Sequence, residues 1–384
     1  TVDGLNIKDS KLVTANSVVE ANITNGAVTS GKIASGVVPT LRPNAKPLVV
    51  NSNMAIAQRN SGTVAQSDGS NEGYATVDRM NLVFGNSAGG TITTSRDNTA
   101  PTGFGQSMKF DVTSADGSVA SNQIVYMKTT LEAQDIRNSG WNYTSSSSYL
   151  TLSFWVRSSK TGIYCAFLET LDASYMRSSE YTISSADTWE QKVLTFPGKT
   201  ELVFNNDNGA GLNIGFTFAV GTDRDGTNNT WETTNYGTSN QVNFLDSTSN
   251  ILYLTGIQLE VGEFSSTNLP PFQHESYGDN LLRCQRYYQL VQNWSGGVVN
   301  SSTAYINATF WKTMRTTPSV TTTGALNGND IANNVNQSSG QVTLHGANEN
   351  GFWGGIGNFS SLTTNNPFNS RFQNTNKLAF SSEL

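Results

Sequence analysis

Aromatic side chains within two polar loops are the residues of this sequence best suited to bind a ligand. Trp141 and Tyr143 lie in one polar stretch, and Trp231 and Tyr236 lie in another. Flat aromatic rings beside polar groups are typical of carbohydrate recognition, because the rings give large contact surfaces while the polar groups satisfy hydroxyls. We therefore predict carbohydrate contacts from these four residues. The alternative, that they anchor long loops or pack between subunits, stays open.

A second stretch places oxygen ligands at alternate positions, as a calcium site does. Asp223 and Asp225 begin a polar turn that continues to Asn228, but the terminal bidentate glutamate of an EF-hand is absent. The pattern is a weak calcium candidate, and a plain polar turn is the default interpretation. We therefore expect no bound metal and no cofactor.

Catalytic motifs are poorly supported. The two histidines, His274 and His345, leave few choices for a histidine-based triad, and neither a nucleophile elbow nor a phosphate-binding glycine loop is present. Paired carboxylates for glycoside hydrolysis are a spatial feature that stays open, but the candidates lie in ordinary strand and turn settings. These candidates are Glu169, Asp172, Glu180 and Glu190. We expect a protein that is not an enzyme.

The composition of the chain limits the kinds of partner that we expect. The 384 residues are 36% hydrophobic and 14% charged, with a net charge of −6. This combination fits many short strands joined by polar turns, gives no electrostatic basis for nucleic-acid binding, and contains no apolar run long enough to cross a membrane. Cys165 and Cys284 lie far apart without metal-ligand spacing, and Cys165 is expected to be a buried free thiol.

The first 40 residues carry an unusual five-residue period. Glycines at 26, 31 and 36 have the same five-residue spacing as six apolar residues: Val13, Val18, Ile23, Val28, Ile33 and Val38. This period builds neither a helical stripe nor one face of a strand, so each pentad is predicted to be a short extended piece with a bend at glycine. One apolar residue per pentad is too little for a core within one chain. We predict an intertwined oligomerising stalk over 1–40; a flexible linker is the alternative.

Prolines at 39, 43 and 47 predict a stiff spacer over 41–50, and period-2 alternation then predicts one all-β domain over 51–264. Roughly eight to ten strands without a helical period indicate a jelly-roll sandwich. The predicted strands are 107–112, 123–129, 150–156, 162–168, 189–196, 212–220 and 251–261.

The remaining chain divides into a junction, 265–295, and a small C-terminal β domain, 296–384. A helix is predicted over 277–290 with Ser276 as its N-cap, because Leu281, Cys284 and Tyr288 share one face. In the β domain, short strands are predicted at 304–310, 341–345 and 378–380. Its aromatic, glycine-rich stretch 351–357 would suit receptor contact if exposed or a trimer core if buried, and we expect burial for part of it.

Three stretches together resemble bacteriophage fibre proteins. The pentads Ile-Thr-Asn-Gly-Ala, Val-Thr-Ser-Gly-Lys and Ile-Ala-Ser-Gly-Val (23–37) are similar to repeats near the stalks of phage tail fibres. The pieces Leu-Thr-Leu-Ser-Phe-Trp-Val (150–156), Trp-Glu-Gln-Lys-Val-Leu-Thr-Phe-Pro-Gly (189–198) and Leu-Thr-Gly-Ile-Gln-Leu-Glu-Val-Gly (254–262) resemble a carbohydrate-binding-module jelly roll. The stretch 270–289, which ends Cys-Gln-Arg-Tyr-Tyr-Gln, is similar to a junction in fibre-like proteins, especially of marine phages.

The resemblance implies a structural protein of the virion, exposed on the particle, that attaches to the host surface. With the stalk geometry it implies a homotrimer, with a dimer as the weaker alternative, and a stalk that joins other virion proteins. A homotrimeric tail fibre that contacts a host-surface glycan is the first expectation. A capsid-bound decoration fibre is the second, and a polysaccharide-degrading enzyme or its carbohydrate-binding module is the third.

Overall fold

The structure, a computed structural model, describes residues 46–331, 334–370 and 376–384. The predicted stalk, with its apolar positions at Val13, Val18, Ile23, Val28, Ile33 and Val38, lies outside the described residues, as do residues 41–45 of the predicted spacer. The first eleven strands are β1 (Thr63–Gln66), β2 (Asn81–Gly85), β3 (Thr91–Asp97), β4 (Ser107–Ser114), β5 (Ile124–Glu132), β6 (Tyr149–Ser158), β7 (Gly162–Thr170), β8 (Tyr175–Ile183), β9 (Glu190–Pro197), β10 (Ala210–Val220) and β11 (Ile251–Val261).

These strands form two antiparallel sheets packed face to face. The six-stranded sheet has the order β1-β3-β4-β11-β6-β9, and the five-stranded sheet has the order β2-β5-β10-β7-β8. Alternate side chains of both sheets meet in one core, where the rings of Phe154 and Phe216 lie 4.8 Å apart across the interface. The predicted all-β jelly-roll sandwich is confirmed.

All seven strands predicted from sequence in this domain are present. The strands that the alternation does not predict are β1, β2, β3 and β8, which are short or rich in Thr and Ser, as in Thr91–Asp97. Two short helical pieces also interrupt the sandwich: α1 (Ala133–Arg137) and a 3₁₀ turn at Phe244–Asp246. Segments this short are below the length at which a helical period becomes visible in a sequence.

The junction contains α2 (Tyr277–Cys284). The Ser276 hydroxyl accepts a hydrogen bond from the Asp279 backbone N–H, so the predicted N-cap is confirmed. The predicted extension of this helix to residue 290 is wrong, because Tyr288–Val291 forms a strand, β12. That strand pairs with a segment about ninety residues further along the chain, and this long-range pairing overrides the local helical spacing.

The C-terminal strands form two further sheets around a core of their own. A three-stranded sheet has the order β12-β21-β15, and a seven-stranded sheet has the order β17-β16-β20-β13-β14-β19-β18. The strands after β12 are β13 (Ser295–Asn300), β14 (Thr303–Thr309), β15 (Ser319–Thr322), β16 (Asn327–Asn329), β17 (Asn334–Asn336), β18 (Val342–Asn348), β19 (Gly351–Ile356), β20 (Pro367–Ser370) and β21 (Leu378–Ser381). The three strands predicted here from sequence correspond to β14, β18 and β21.

The sandwich and the C-terminal strands meet in a buried contact that we call the clasp: Arg59, Arg79, Tyr287, Tyr288 and Glu383. The guanidinium groups of Arg59 and Arg79 lie over the rings of Tyr288 and Tyr287, and the two carboxylate oxygens of Glu383 each accept a hydrogen bond from one arginine. Opposite charges within hydrogen-bond distance offset the loss of water around these buried groups. The clasp therefore joins the two parts of the chain through charged side chains.

Glu132 of β5 makes a second buried ion pair with the junction. Its carboxylate accepts hydrogen bonds from Arg286 Nε at 2.6 Å, Arg286 Nη2 at 2.8 Å and the Tyr287 hydroxyl at 2.7 Å. Nearby, Val50 packs against Cys284 and Tyr287, while Val49 lies in the sandwich core. The end of the predicted spacer is thus packed into the fold where the structure describes it.

Both cysteines are buried free thiols, as expected for Cys165. Burial raises the pKa of the Cys165 thiol to about 11. No helix within the described residues has the length and apolar character needed to cross a membrane.

Candidate functional site

The first predicted pair of loop aromatics belongs to the sandwich core. Trp141 is only 3% exposed, packs on Tyr143 and Phe204, and donates its indole N–H to the carbonyl of Ser148 at 3.2 Å. A ring enclosed in this way offers no face to a sugar, so the prediction that Trp141 contacts carbohydrate is corrected: its ring anchors the loop. Tyr143 is half-buried against the same core.

The second pair, Trp231 and Tyr236, is half-buried, and its two rings pack in different parts of the domain. Trp231 packs against the core and donates its indole N–H to the carbonyl of Pro197 at 2.9 Å. Tyr236 packs instead on Tyr126 and Phe167, on the other face of the five-stranded sheet. The structure therefore does not bring the four predicted residues together into one aromatic platform.

The calcium candidates lie in a turn that is hydrogen-bonded to itself and to the neighbouring loop at Ser121. The Asp223 carboxylate accepts a hydrogen bond from the Ser121 hydroxyl at 2.6 Å, and the Asp225 backbone N–H donates to the Gly221 carbonyl. In the part of the chain that the structure describes, no three acidic, histidine or cysteine side chains are grouped as a metal ion would require.

A strip of polar side chains on the outer face of the five-stranded sheet forms hydrogen bonds among its own members. Asn213 donates to Glu169 at 2.7 Å and accepts from the Thr130 hydroxyl at 2.6 Å. Burial lowers the pKa of the neighbouring Lys128, against the opposing effect of Glu169. Since these groups already satisfy one another and the loop carrying Tyr236 covers part of this face, the strip is a weak candidate for ligand contact.

The outer face of the seven-stranded sheet has the opposite character. Its side chains are polar or aromatic and largely exposed, while Ile306, Phe352 and Phe368 point into the C-terminal core. Strand register places six residues directly opposite one another across six adjacent strands, in an arrangement that we call the cross-strand row. The row runs Trp353, Asn307, Ser295, Asn369, Asn329, Asn334.

Three rings cluster at one end of this row, and we call them the aromatic patch: Tyr305, His345 and Trp353. The His345 and Trp353 rings are stacked with centroids 5.0 Å apart, and Tyr305 meets His345 at 4.9 Å in an edge-on contact. Tyr305 is 42% exposed and Trp353 is 50% exposed. His345 stacks on one face of the indole, and the half-exposed Trp353 keeps ring surface available for a ligand.

A groove of about 710 Å³ adjoins the middle of the row. Asn307, Ser295 and Asn369 line it together with Trp311, whose side chain is 64% exposed. This volume lies in the range of small-molecule binding sites. Within the described residues, the side chains of Asn307 and Asn369 make no hydrogen bond of their own, so their amide groups are available to a ligand.

Trp311 is positioned by a residue of the junction. Gln289, completely buried on β12, accepts a hydrogen bond from the Trp311 backbone N–H at 2.9 Å and donates its amide to the Lys312 carbonyl. A buried amide that satisfies both backbone groups fixes the path of the chain leaving β14. The junction motif thus contributes to the groove as well as to the clasp.

Sequence reasoning considered receptor contact by the stretch 351–357 if exposed, but it named no individual site residue on this face. In Thr303–Thr309 buried and exposed residues alternate. Ala304, Ile306 and Ala308 are buried, and Tyr305 and Asn307 are exposed. The glycine-rich stretch was expected to be partly buried, and this is confirmed: Phe352 is buried while its neighbour Trp353 is exposed. His274 of the junction packs against Phe104 and Phe272, which also contact each other.

No family model matches the sequence, and no curated protein matches it. Among solved structures, the chain is similar to the enzymatically active domain of tailspike protein 4 of bacteriophage CBA120, with 12% identity and a TM-score of 0.28, over 56% of this chain and 21% of that one. It is also similar to a putative sugar binding protein from Bacteroides thetaiotaomicron, with 10% identity and a TM-score of 0.32, over 56% of this chain and 100% of that one.

A family 11 carbohydrate-binding module of a cellulosomal cellulase from Clostridium thermocellum matches with 12% identity and a TM-score of 0.27, over 54% of this chain and 99% of that one. The chain spans about a fifth of the tailspike structure. At these TM-scores the likenesses carry no inference about ligand or activity, which depends on the chain's own residues.

Proposed function

We propose that this chain is a glycan-binding structural protein of a bacteriophage virion, and that the outer face of its seven-stranded sheet contacts the glycan. The observation that carries glycan binding is the combination of exposed Tyr305 and Trp353 with the side-chain amides of Asn307 and Asn369, which make no hydrogen bond to any described residue, on one face. Aromatic rings supply contact area, and amides supply both donors and acceptors for sugar hydroxyls.

The virion assignment rests on the sequence: the pentads that suit an intertwined stalk and the junction motif that resembles phage fibre proteins. In this proposal a homotrimeric tail fibre joins the particle through residues 1–40 and presents three C-terminal sheets outward. Individually weak sites then act together, because linking three copies raises the effective concentration of each at a cell surface. A capsid-bound fibre is the alternative location.

We infer binding without cleavage. Hydrolysis of a glycosidic bond generally requires two carboxyl groups on either side of the bond. None of the six residues of the cross-strand row is acidic, and neither are the three rings of the patch. The chain is therefore proposed to hold a glycan rather than to degrade it, which separates this proposal from a polysaccharide-degrading enzyme.

The test uses the full chain on an array of bacterial surface glycans. We expect Trp353→Ala to reduce binding by about threefold to tenfold per site, corresponding to loss of one aromatic contact. Trp231→Phe is the matched control, since it alters a half-buried tryptophan of the sandwich. If folded Trp353→Ala binds as the parent does, or if the parent binds no glycan, the proposal fails.

Location and activity need separate measurements. Electron microscopy of virions labelled with antibodies against the C-terminal domain is expected to place the protein at the tail, and label on the capsid would favour the decoration fibre. Incubation with a bound polysaccharide is expected to release no new reducing ends. Their appearance, and their loss on substituting a carboxylate, would instead support the enzyme.

A further inference from the structure

We propose that the outer face of the seven-stranded sheet binds an uncharged, extended glycan that lies across the strands, with successive sugar residues along the cross-strand row. This inference rests on the proposed glycan-binding function and names the class of glycan and its direction on the protein. Four observations support it: the spacing of the row, the state of its amides, its lack of charge and the open space at one glycine beside it.

The row has a regular spacing set by the sheet itself. Neighbouring strands lie about 4.8 Å apart, so the row of six residues spans roughly 24 Å. The spacing of about 4.8 Å between neighbouring strands is close to the length of one sugar ring in an extended chain. A glycan laid along the row therefore meets a new strand, and a new side chain of the protein, at each successive residue.

The two ends of the row differ in whether their polar side chains are already hydrogen-bonded to one another. Asn307, Ser295 and Asn369 make no side-chain hydrogen bond within the described residues, whereas Asn329 donates to Asn334 at 3.0 Å. Trp353 precedes the three open positions in the register. A ligand thus starts on the indole ring and passes three unpaired polar groups before it reaches the closed amide pair, which corresponds to about four sugar residues.

The absence of charge selects against acidic glycans. Uronic, sialic or sulfated sugars gain most from lysine or arginine, and a buried carboxylate without a cation is unfavourable. The row consists of a tryptophan, four asparagines and a serine, and the whole chain has a net charge of −6. The face therefore fits neutral sugars, whose hydroxyls pair with amides.

Beside the row, one position of the sheet has no side chain. Gly297 faces outward between Tyr305 and Pro367, and a Cβ placed there would meet only the Asn366 carbonyl oxygen, at 4.0 Å. A larger side chain at this position fits the fold but would protrude into the path of a ligand. Gly297→Leu is consequently a blocking variant that leaves the row residues unchanged.

The other occupant that this face could receive is a second copy of the chain. Stable interfaces between identical subunits are enriched in apolar residues at their centres. The centre of this row is Ser295 flanked by two asparagines, so the chemistry favours a hydroxylated ligand. The oligomeric state of each variant is measured so that this outcome is detected.

The experiment titrates the full-length protein with neutral oligosaccharide ladders, from disaccharide to hexasaccharide. The ladders are β-1,4-glucan, β-1,3-glucan, β-1,4-mannan and β-1,4-xylan, and oligogalacturonides of equal length are the charged counterpart. We expect affinity for at least one neutral ladder to rise with length up to about the tetrasaccharide and then level off. Oligogalacturonides are expected to bind more weakly.

Three variants locate the ligand along the row. Asn369→Ala is expected to weaken the tetrasaccharide by about threefold to tenfold, the value of one hydrogen bond, while leaving the disaccharide unchanged. Trp353→Ala and Gly297→Leu are expected to weaken both. Circular dichroism and light scattering confirm that each variant keeps its fold and its mass.

The outcomes separate this inference from the proposed function. If surface glycans bind but no neutral ladder does, if affinity ignores length, if galacturonides bind more tightly, or if Asn369→Ala affects both lengths equally, the inference is overturned and glycan binding stands. A change of oligomeric state in the row variants also overturns it, in favour of an interface between copies. If the folded protein binds no glycan of any kind, the proposed function itself fails.

Discussion

The guanidinium carbon of Arg79 lies 3.6 Å from the centre of the Tyr287 ring. The neighbouring arginine, Arg59, takes up the same relationship with Tyr288 at 3.8 Å. The two adjacent tyrosines of the junction, Tyr287 and Tyr288, therefore each receive one arginine from the sandwich. Cation–π contacts of this kind gain strength when water is excluded, as it is around the fully buried Arg79.

Removing the shared carboxylate of the clasp should strongly destabilise the protein. In Glu383→Gln, Arg79 remains buried but loses its negative partner, and breaking a buried ion pair costs about 3–5 kcal/mol. Urea unfolding measures the loss. Asp187→Asn is the control, because its ion pair with Arg157 is on the surface and should contribute no more than about 1 kcal/mol. Equal effects of the two variants would contradict a buried clasp.

The Glu132 ion pair makes stability depend on acid pH. Burial is the largest single influence and raises the carboxyl pKa, but hydrogen bonds from Arg286 and Tyr287 together outweigh it, so the pKa lies below its usual range. The stability that this group contributes is therefore present above its unfolded pKa, about 4.3, and is lost as pH falls through the lower folded value.

We expect Glu132→Gln to be less stable than the parent at neutral pH, with the difference shrinking below about pH 4. Melting temperatures measured across this range check it. A difference between parent and variant that stays constant as the pH falls would show that Glu132 does not titrate in this way.

The tryptophans at 141 and 353 should respond to substitution in opposite ways. Trp141→Ala empties a buried site and should cost about 3–5 kcal/mol of stability, while glycan binding persists below the melting temperature. Trp353→Ala, half exposed on the sheet, should lose binding with little change in melting temperature. Thermal denaturation and titration on the same samples compare the two. Loss of binding in folded Trp141→Ala would return the site to the sandwich loops.

Gln289 should act on the groove through Trp311. Gln289→Leu keeps the volume of the side chain but leaves the Trp311 N–H and the Lys312 carbonyl without their partner, at a cost of about 1–3 kcal/mol. We expect weaker glycan binding and a shifted tryptophan fluorescence spectrum. Trp311→Phe in the same background identifies the ring responsible. An unchanged spectrum with normal affinity would show that Gln289 has only a stabilising role.

The stalk prediction is tested on assembly. Deleting residues 1–40, or replacing Ile23 and Ile33 with Asp, should convert a trimer into monomers, because the only apolar stripe of the pentads is interrupted. Light scattering gives the mass. The truncated chain should keep its melting temperature, since the clasp and both cores lie beyond residue 46. A trimer that survives both changes would place the assembly contacts elsewhere.

Local alternation was enough to predict the long central strands. Ile251–Val261 matches its predicted bounds, and Leu212–Val220 falls within Ala210–Val220, because each strand is long and rich in apolar residues. The end of α2 was mispredicted for the opposite reason. Leu281, Cys284 and Tyr288 keep a helical spacing, but pairing with Leu378–Ser381 decides the structure of Tyr288–Val291.

The cross-strand row depends on the same kind of long-range information. Asn307 and Asn369 are far apart in sequence, and each one alone is an unremarkable polar residue on a short strand. They become one surface only through the order of strands in the seven-stranded sheet. The loop tryptophans attracted the first prediction because their polar neighbours are adjacent in sequence, although Trp141 proves to be core.

The C-terminal strands begin with β12 and end with β21, and these two strands are antiparallel neighbours. The chain therefore enters and leaves this part of the molecule side by side, next to the arginines of the clasp. Under the proposed function, exchanging the segment from Tyr288 to Ser381 for that of a related protein would replace the glycan-contacting face, while the core of the sandwich lies outside the exchanged segment. Under the same proposal, related virions would change the glycan that they bind in one genetic step.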